Sequence, residues 1–237
     1  MLRVDDLGVH FDGVRALDGV GFALAAGEAL GLIGPNGSGK TTLFDAICGL
    51  VALDSGRVLF DGEQISGQPA QAIARRGIAR TFQGVRLFER MTSLENVRCA
   101  QPETGGAVQG GVRYEAERLL ERLGIGQYGA VLAEDLPLAA RRRLELARVL
   151  ARRPRLLLLD EPAGAMTRAE AIEMTQLLRS VHASGCAMIV VEHRIELVAE
   201  ICPRVLALDC GRVTADGSLD AVLADARVRS AYLGVAG

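Results

Sequence analysis

The chain has 237 residues, 49% of them hydrophobic, and a formal net charge of −2 at neutral pH. A chain of this length buries about 70–75% of the surface its unfolded form exposes, so one large domain, or a core with a small appendage, is expected. Near-neutral charge and scattered basic residues exclude the basic footprint of a nucleic-acid binder. The cysteines Cys48, Cys99, Cys186, Cys202 and Cys210 are odd in number and lack C-x-x-C spacing. They point to small buried thiols in a reduced, cytoplasmic protein, not to a disulfide or zinc framework. Arg3, Asp5 and Asp6 interrupt any signal peptide, and no apolar run reaches the ~20 residues of a membrane span.

In chain order, Leu2-Arg3-Val4 and Phe22-Ala23-Leu24 read as strands, with turn signals at Asp12-Gly13 and Ala26-Gly27. Ala29 to Ile33 is an apolar run that reads as a buried strand, and Leu43, Ala46, Ile47 and Leu50 then recur at helical spacing. Between them, Gly34-Pro35-Asn36-Gly37-Ser38-Gly39-Lys40-Thr41-Thr42 matches G-x-x-x-x-G-K-[ST], a phosphate-binding loop. Its glycines let successive N–H groups point at phosphate oxygens, and the following helix adds free N–H groups and its positive dipole end. Lys40 would reach the β- and γ-phosphates, and the Thr41 hydroxyl can ligate Mg²⁺. Lys40 is the only lysine in the chain; a compact ammonium is kept where a planar guanidinium would not serve.

Further on, Val58-Leu59-Phe60 before Asp61-Gly62 makes a strand and turn, Ala70 to Arg76 a helix, and Ile78 to Phe82 a core strand ending at Gln83. The glycine-rich stretch from Thr104 to Val112 reads as a surface connection. A helix carrying Ala116, Leu119, Leu120 and Leu123 on one face follows, then an arginine-rich helix from Arg141 to Arg152. Leu156 to Leu159 is an apolar strand ending in Asp160-Glu161. Carboxylates at the C-terminal end of a buried strand face the ligand edge of an α/β sheet. Asp160 is therefore expected to bind Mg²⁺, and Glu161 to orient or deprotonate the attacking water. Thr167 to Glu170 is a capping box that opens another helix. Ala187 to Val191 is a core strand followed by Glu192-His193, Val205 to Val213 a hairpin, and Ser218 the cap of a terminal helix. Phe11 could stack on a base.

Gly34 to Thr42, Leu156 to Pro162, Thr81-Phe82-Gln83 and Val191-Glu192-His193 resemble the Walker A, Walker B, Q-loop and H-loop of an ABC-type ATPase, and the likeness covers essentially the whole chain. Arg80 to Gln83 running on through Phe88, Met91 and Asn96, Arg142 to Arg148, and Ala231-Tyr232-Leu233-Gly234 resemble the larger ATPase subunit of branched-chain amino acid importers. The resemblance implies an α/β P-loop core, approximately 1–84 and 150–237, with an antiparallel β subdomain and an inserted helical subdomain, approximately 85–149. It implies ATP and Mg²⁺ as cofactors, with Gly34 to Thr42 and Phe11 on the nucleotide. Thr41, Gln83 and Asp160 would lie at the metal, and Glu161, His193 and Gln83 would be catalytic. The implied partners are a second ATPase subunit, two permease subunits and, indirectly, a solute-binding protein, with no nucleic acid. The implied location is peripheral, on the inner face of the cell membrane.

Three stretches depart from the family pattern. The signature loop, usually Leu-Ser-Gly-Gly-Gln, aligns with Leu136-Pro137-Leu138-Ala139-Ala140; the D-loop reads Met166-Thr167; and Arg194 stands where an acid is common. They touch the site this chain would complete for a partner. They also leave open a regulatory nucleotide-binding subunit with weak hydrolysis. A soluble ABC ATPase acting on DNA or ribosomes would need a coiled-coil insertion, a second cassette or a basic stripe, and the sequence has none of these.

Overall fold

The structure is a computed structural model that describes residues 1–102 and 109–233. Strands β1 (Leu2–Phe11) and β2 (Val14–Leu24) lead into β3 (Ala29–Ile33) and α1 (Lys40–Ile47). Strands β4 (Ser55–Phe60) and β5 (Glu63–Gln64) precede α2 (Ala70–Arg75) and β6 (Ile78–Arg80). Helices α3 (Ser93–Arg98), α4 (Gln109–Arg122) and α5 (Leu138–Ala151) follow, then β7 (Leu156–Asp160), α6 (Arg168–Ala183), β8 (Ala187–Val191) and α7 (Ile195–Ile201). The chain closes with β9 (Arg204–Asp209), β10 (Arg212–Gly217), α8 (Leu219–Ala224) and α9 (Ala226–Leu233).

Two sheets form. One is antiparallel, in the order β2-β1-β4-β5; the other runs β10-β9-β3-β8-β7-β6 and is parallel except for β10. Every residue of β3, β7 and β8 is buried, because a parallel sheet covered on both faces leaves no polar side to its strands. Successive residues face opposite ways. Leu30, Leu32, Leu158 and Ile189 meet the antiparallel sheet and Phe44 of α1, while Leu157, Leu159, Met188 and Val190 meet Leu144, Met174, Leu178 and Val198. Helices α3, α4 and α5 pack on one another, burying Ala116, Leu120 and Leu123, with Leu119 half-buried beside them. Leu32 pairs with Val191, and Asp160 with Val191. The segments leaving β3, β7 and β8 therefore emerge at one edge of the sheet.

Several boundaries differ from the sequence expectation. α1 stops at Ile47, one residue into its last expected turn, and Leu50 is 49% exposed. Gly49 at φ +68° accounts for this, with its N–H on Ala46 O and the Leu50 N–H on Asp45 O; this pair of bonds closes a helix through a left-handed glycine. β6 ends at Arg80, two residues early, although the Thr81 N–H still donates to Leu158 O. α5 begins at Leu138, three residues early, with Pro137 at its N-cap. The terminal helix is two helices. They break at Asp225, whose carboxylate accepts the Arg227 N–H and so caps the second. Gly110 and Gly111 belong to the backbone of α4; Thr104 to Val108, and Gly234 at the other end, lie outside the described residues. All five thiols are unpaired, but Cys99 and Cys210 are exposed, not buried.

Candidate nucleotide site

The loop after β3 uses glycine where nothing else fits. A Cβ on Gly34, at φ +156°, would lie 2.1 Å from Leu208 O, and one on Gly39, at φ +106°, would lie 2.5 Å from Ala16 O. Around this curl Lys40 is only 8% exposed, and its Nζ donates to Gly34 O and Pro35 O at 2.8 Å each, with Ser38 Oγ at 3.4 Å. Burial lowers the Lys40 pKa, and the nearby Glu161 and Asp160 carboxylates oppose that shift. Pro35, Asn36 and Gly37 form the loop's outer bend, half-buried to exposed. Gly39 caps α1 without a side-chain bond, so the first-turn amides around Thr41 and Thr42 are free to meet an anion. Phe11, 46% exposed, pairs with Val14 at the tip of the β1–β2 hairpin. Two residues on, Ala16 O sits against both Gly39 and Gly211, which brings the hairpin tip beside the loop.

Across the sheet edge, Asp160 is buried at the end of β7, with Arg80 Nη2 3.3 Å from its Oδ2 and its own N–H on Thr81 Oγ1 at 3.1 Å. Burial raises its carboxyl pKa, with Arg80 the main opposing influence. Glu161 then turns out of the strand at φ +50°, its N–H held by Val191 O. Left-handed backbone at a non-glycine residue is uncommon, and here it aims the carboxylate at two partners. Gln83 Nε2 donates to Glu161 Oε1 at 3.2 Å, and His193 Nε2 lies 3.0 Å from the same oxygen. Gln83, Glu161 and His193 are thus brought together from three loops. Hard oxygen donors of the kind Mg²⁺ takes are present on Thr41, Asp160 and Gln83.

Four residues of the surroundings lie in stretches quoted from the sequence but were given no role there. Buried Glu192 accepts the Ala163 N–H at 2.8 Å and the His193 N–H at 3.2 Å, tying together the segments that carry Glu161 and His193. From α5, Glu145 Oε1 accepts the N–H groups of Phe82 (3.5 Å) and Arg86 (3.3 Å), and Arg142 donates to Gln83 O at 2.9 Å. The backbone on either side of Gln83 is therefore held by one helix. Arg80 is the fourth. The available signal was a charged residue inside an apolar pattern, Glu145 between Leu144 and Leu146, and Glu192 after β8. Two of the departures from the family pattern, at Met166 and Arg194, meet directly, since Arg194 Nη2 donates to Met166 O at 2.6 Å. At the start of α5, Pro137 supplies no side-chain cap, and it and Leu138 are exposed.

A family model described as "ABC transporter" matches residues 17–164. The branched-chain amino acid transport ATP-binding protein BraF of Pseudomonas aeruginosa is 34% identical over 254 aligned positions, covering 100% of this chain and 98% of that one. LivG of Escherichia coli is 35% identical over 253 positions, with the same coverage. A solved ATP-binding cassette of an ABC transporter in its ADP conformation superposes with a TM-score of 0.89 at 27% identity, covering 99% of each chain. The chain belongs to the ABC transporter family. It is an ATP-binding cassette, an ATPase built on an α/β P-loop fold.

Proposed function

We propose that this cassette is the ATP-hydrolysing subunit that energises an importer of branched-chain or related amino acids. The observation that carries the hydrolytic part is the meeting of Gln83 and His193 on one oxygen of Glu161, beside the buried Asp160 and the Lys40 loop. In this reading Lys40 and the amides of Gly34 to Thr42 hold the triphosphate, and Phe11 stacks on the base. Thr41, Asp160 and Gln83 would hold Mg²⁺, which neutralises charge on the β- and γ-phosphates when bound. Glu161 orients or deprotonates the attacking water, and His193 contacts the γ-phosphate region. The solute class is inferred from the full-length similarity to BraF and LivG.

An importer subunit of this kind works with a second ATPase subunit, two permeases and a solute-binding protein, peripheral to the inner face of the membrane. Among the described residues no helix is long and apolar enough to cross a membrane. The segment after Gln83 supports permease docking: Phe88 and Met91 are exposed, and Arg148 lies over the Phe88 ring at 4.6 Å. The inserted helical subdomain at 85–149 would carry this surface. A second reading, a regulatory subunit with weak hydrolysis, is favoured by Pro137 at the cap of α5.

The test is Glu161→Gln. The variant should bind MgATP like the parent, stop turning over, and accumulate as an ATP-dependent dimer in gel filtration. Parental turnover would remove Glu161 from the catalytic role and with it this account of the site.

A further inference from the structure

We propose that Arg80 is a positioning residue that sets the spacing between two of the three oxygen ligands proposed for the nucleotide-bound cation, Thr41 on α1 and Asp160 on β7. The inference rests on the ATP site proposed above. Arg80 stands at the C-terminal end of β6 with a side chain only 5% exposed. Its Nη1 is hydrogen-bonded to Asp45 Oδ1, and its Nη2 lies 3.3 Å from Asp160 Oδ2. The guanidinium is flanked by two rings, with centroids 5.4 Å away for Phe44 and 4.9 Å for Phe82.

Asp45 follows Thr41 by four residues on the same helix, and residues four apart share one helix face. One guanidinium therefore ties the face of α1 that bears Thr41 to the end of β7 that bears Asp160. The planar fork fixes the two nitrogens relative to each other, and the rings restrict its swing. A carboxylate held at one oxygen has its second oxygen held too. Mg²⁺ accepts little error, wanting near-octahedral geometry at about 2.0–2.1 Å. A rigid strut between two of its protein ligands answers that demand. Charge alone argues the other way, since a cation beside Asp160 repels the metal. The two contributions differ in sign, which makes the spacing role testable.

The experiment measures affinity of the full chain for a non-hydrolysable ATP analogue by calorimetry, first in excess EDTA and then across a Mg²⁺ titration. Melting temperature is recorded alongside. Arg80→Lys and Arg80→Met should keep the EDTA affinity within about twofold while the half-saturating Mg²⁺ concentration rises roughly tenfold or more, the usual cost of losing a group that orients a metal ligand. Asp45→Ala removes the other end of the strut at a partly exposed site, so it serves if the Arg80 variants fail to fold. It should shift the Mg²⁺ requirement in the same direction by less. An unchanged Mg²⁺ requirement in Arg80→Lys, or a lower one in any variant, would overturn the proposal. So would equal losses of affinity with and without Mg²⁺. A parent chain that does not bind the analogue at all would instead refute the ATP site itself.

Discussion

At Glu161 the backbone enters the left-handed region, and three loops converge on one carboxylate as a result. Which residues gather there was legible, Asp160-Glu161 from the apolar run before them and Gln83 and His193 from the family resemblance. What braces them was not. Glu192 and His193 look alike in sequence, a polar pair after β8, yet Glu192 is buried and His193 exposed; only the direction of the strand end decides which one turns inward. Burial raises the Glu192 pKa, with the Ala163 and His193 amides opposing. A carboxyl whose folded pKa lies above its unfolded value stabilises fully below the unfolded value, and that stability is lost as pH rises through the folded one. Glu192→Gln keeps an acceptor for the Ala163 N–H and cannot ionise. Urea unfolding of both proteins should show the parent losing stability relative to the variant as pH rises from about 4 to about 8. A difference independent of pH, or of opposite slope, would mean that burial does not govern this group.

Helix α5 shows what an element contributes beyond its residues. The helix itself was readable as the arginine-rich run from Arg141 to Arg152, but its true start at Leu138 was not, since Pro137-Leu138-Ala139 offers no capping side chain. Its middle holds the Gln83 loop through Arg142 and Glu145, while its bare N-terminus is the part that, in the proposed function, would face a partner's nucleotide. Donors aimed at the γ-phosphate supply much of phosphoryl-transfer catalysis. Pro137 has neither hydroxyl nor N–H, and the Cβ of Ala139 limits close approach. Losing one or two donors at roughly 1.5–3 kcal/mol each slows hydrolysis at least about tenfold. The combined change Pro137→Ser, Ala139→Gly and Ala140→Gln should therefore raise the steady-state ATPase of the isolated chain by about that factor. With a second subunit of normal signature, the site built on Lys40 should be the competent one. Equal activity of parent and restored chain at equal concentration would end the argument for asymmetry.

For the whole molecule, local pattern revealed the elements but not their neighbours. Nothing in the runs Ala29–Ile33, Leu156–Asp160 and Ala187–Val191 says that β8 lies between β3 and β7, because parallel pairing is set by crossovers and not by turns. The antiparallel sheet was partly legible, since Asp12-Gly13 and Asp61-Gly62 mark its hairpins. One global property has a practical consequence. With a single lysine in 237 residues, the only amines are the chain's α-amino group and a nearly buried Nζ behind the Gly34 and Pro35 carbonyls. The protein thus carries a built-in chemical footprint of its phosphate loop. Acylation counted by intact mass should add a slow second label at Lys40 that nucleotide suppresses, and equal labelling with and without nucleotide would separate that amine from the phosphates. No engineered probe is needed to follow the loop in a complex of several subunits, because this chain reports occupancy through one side chain.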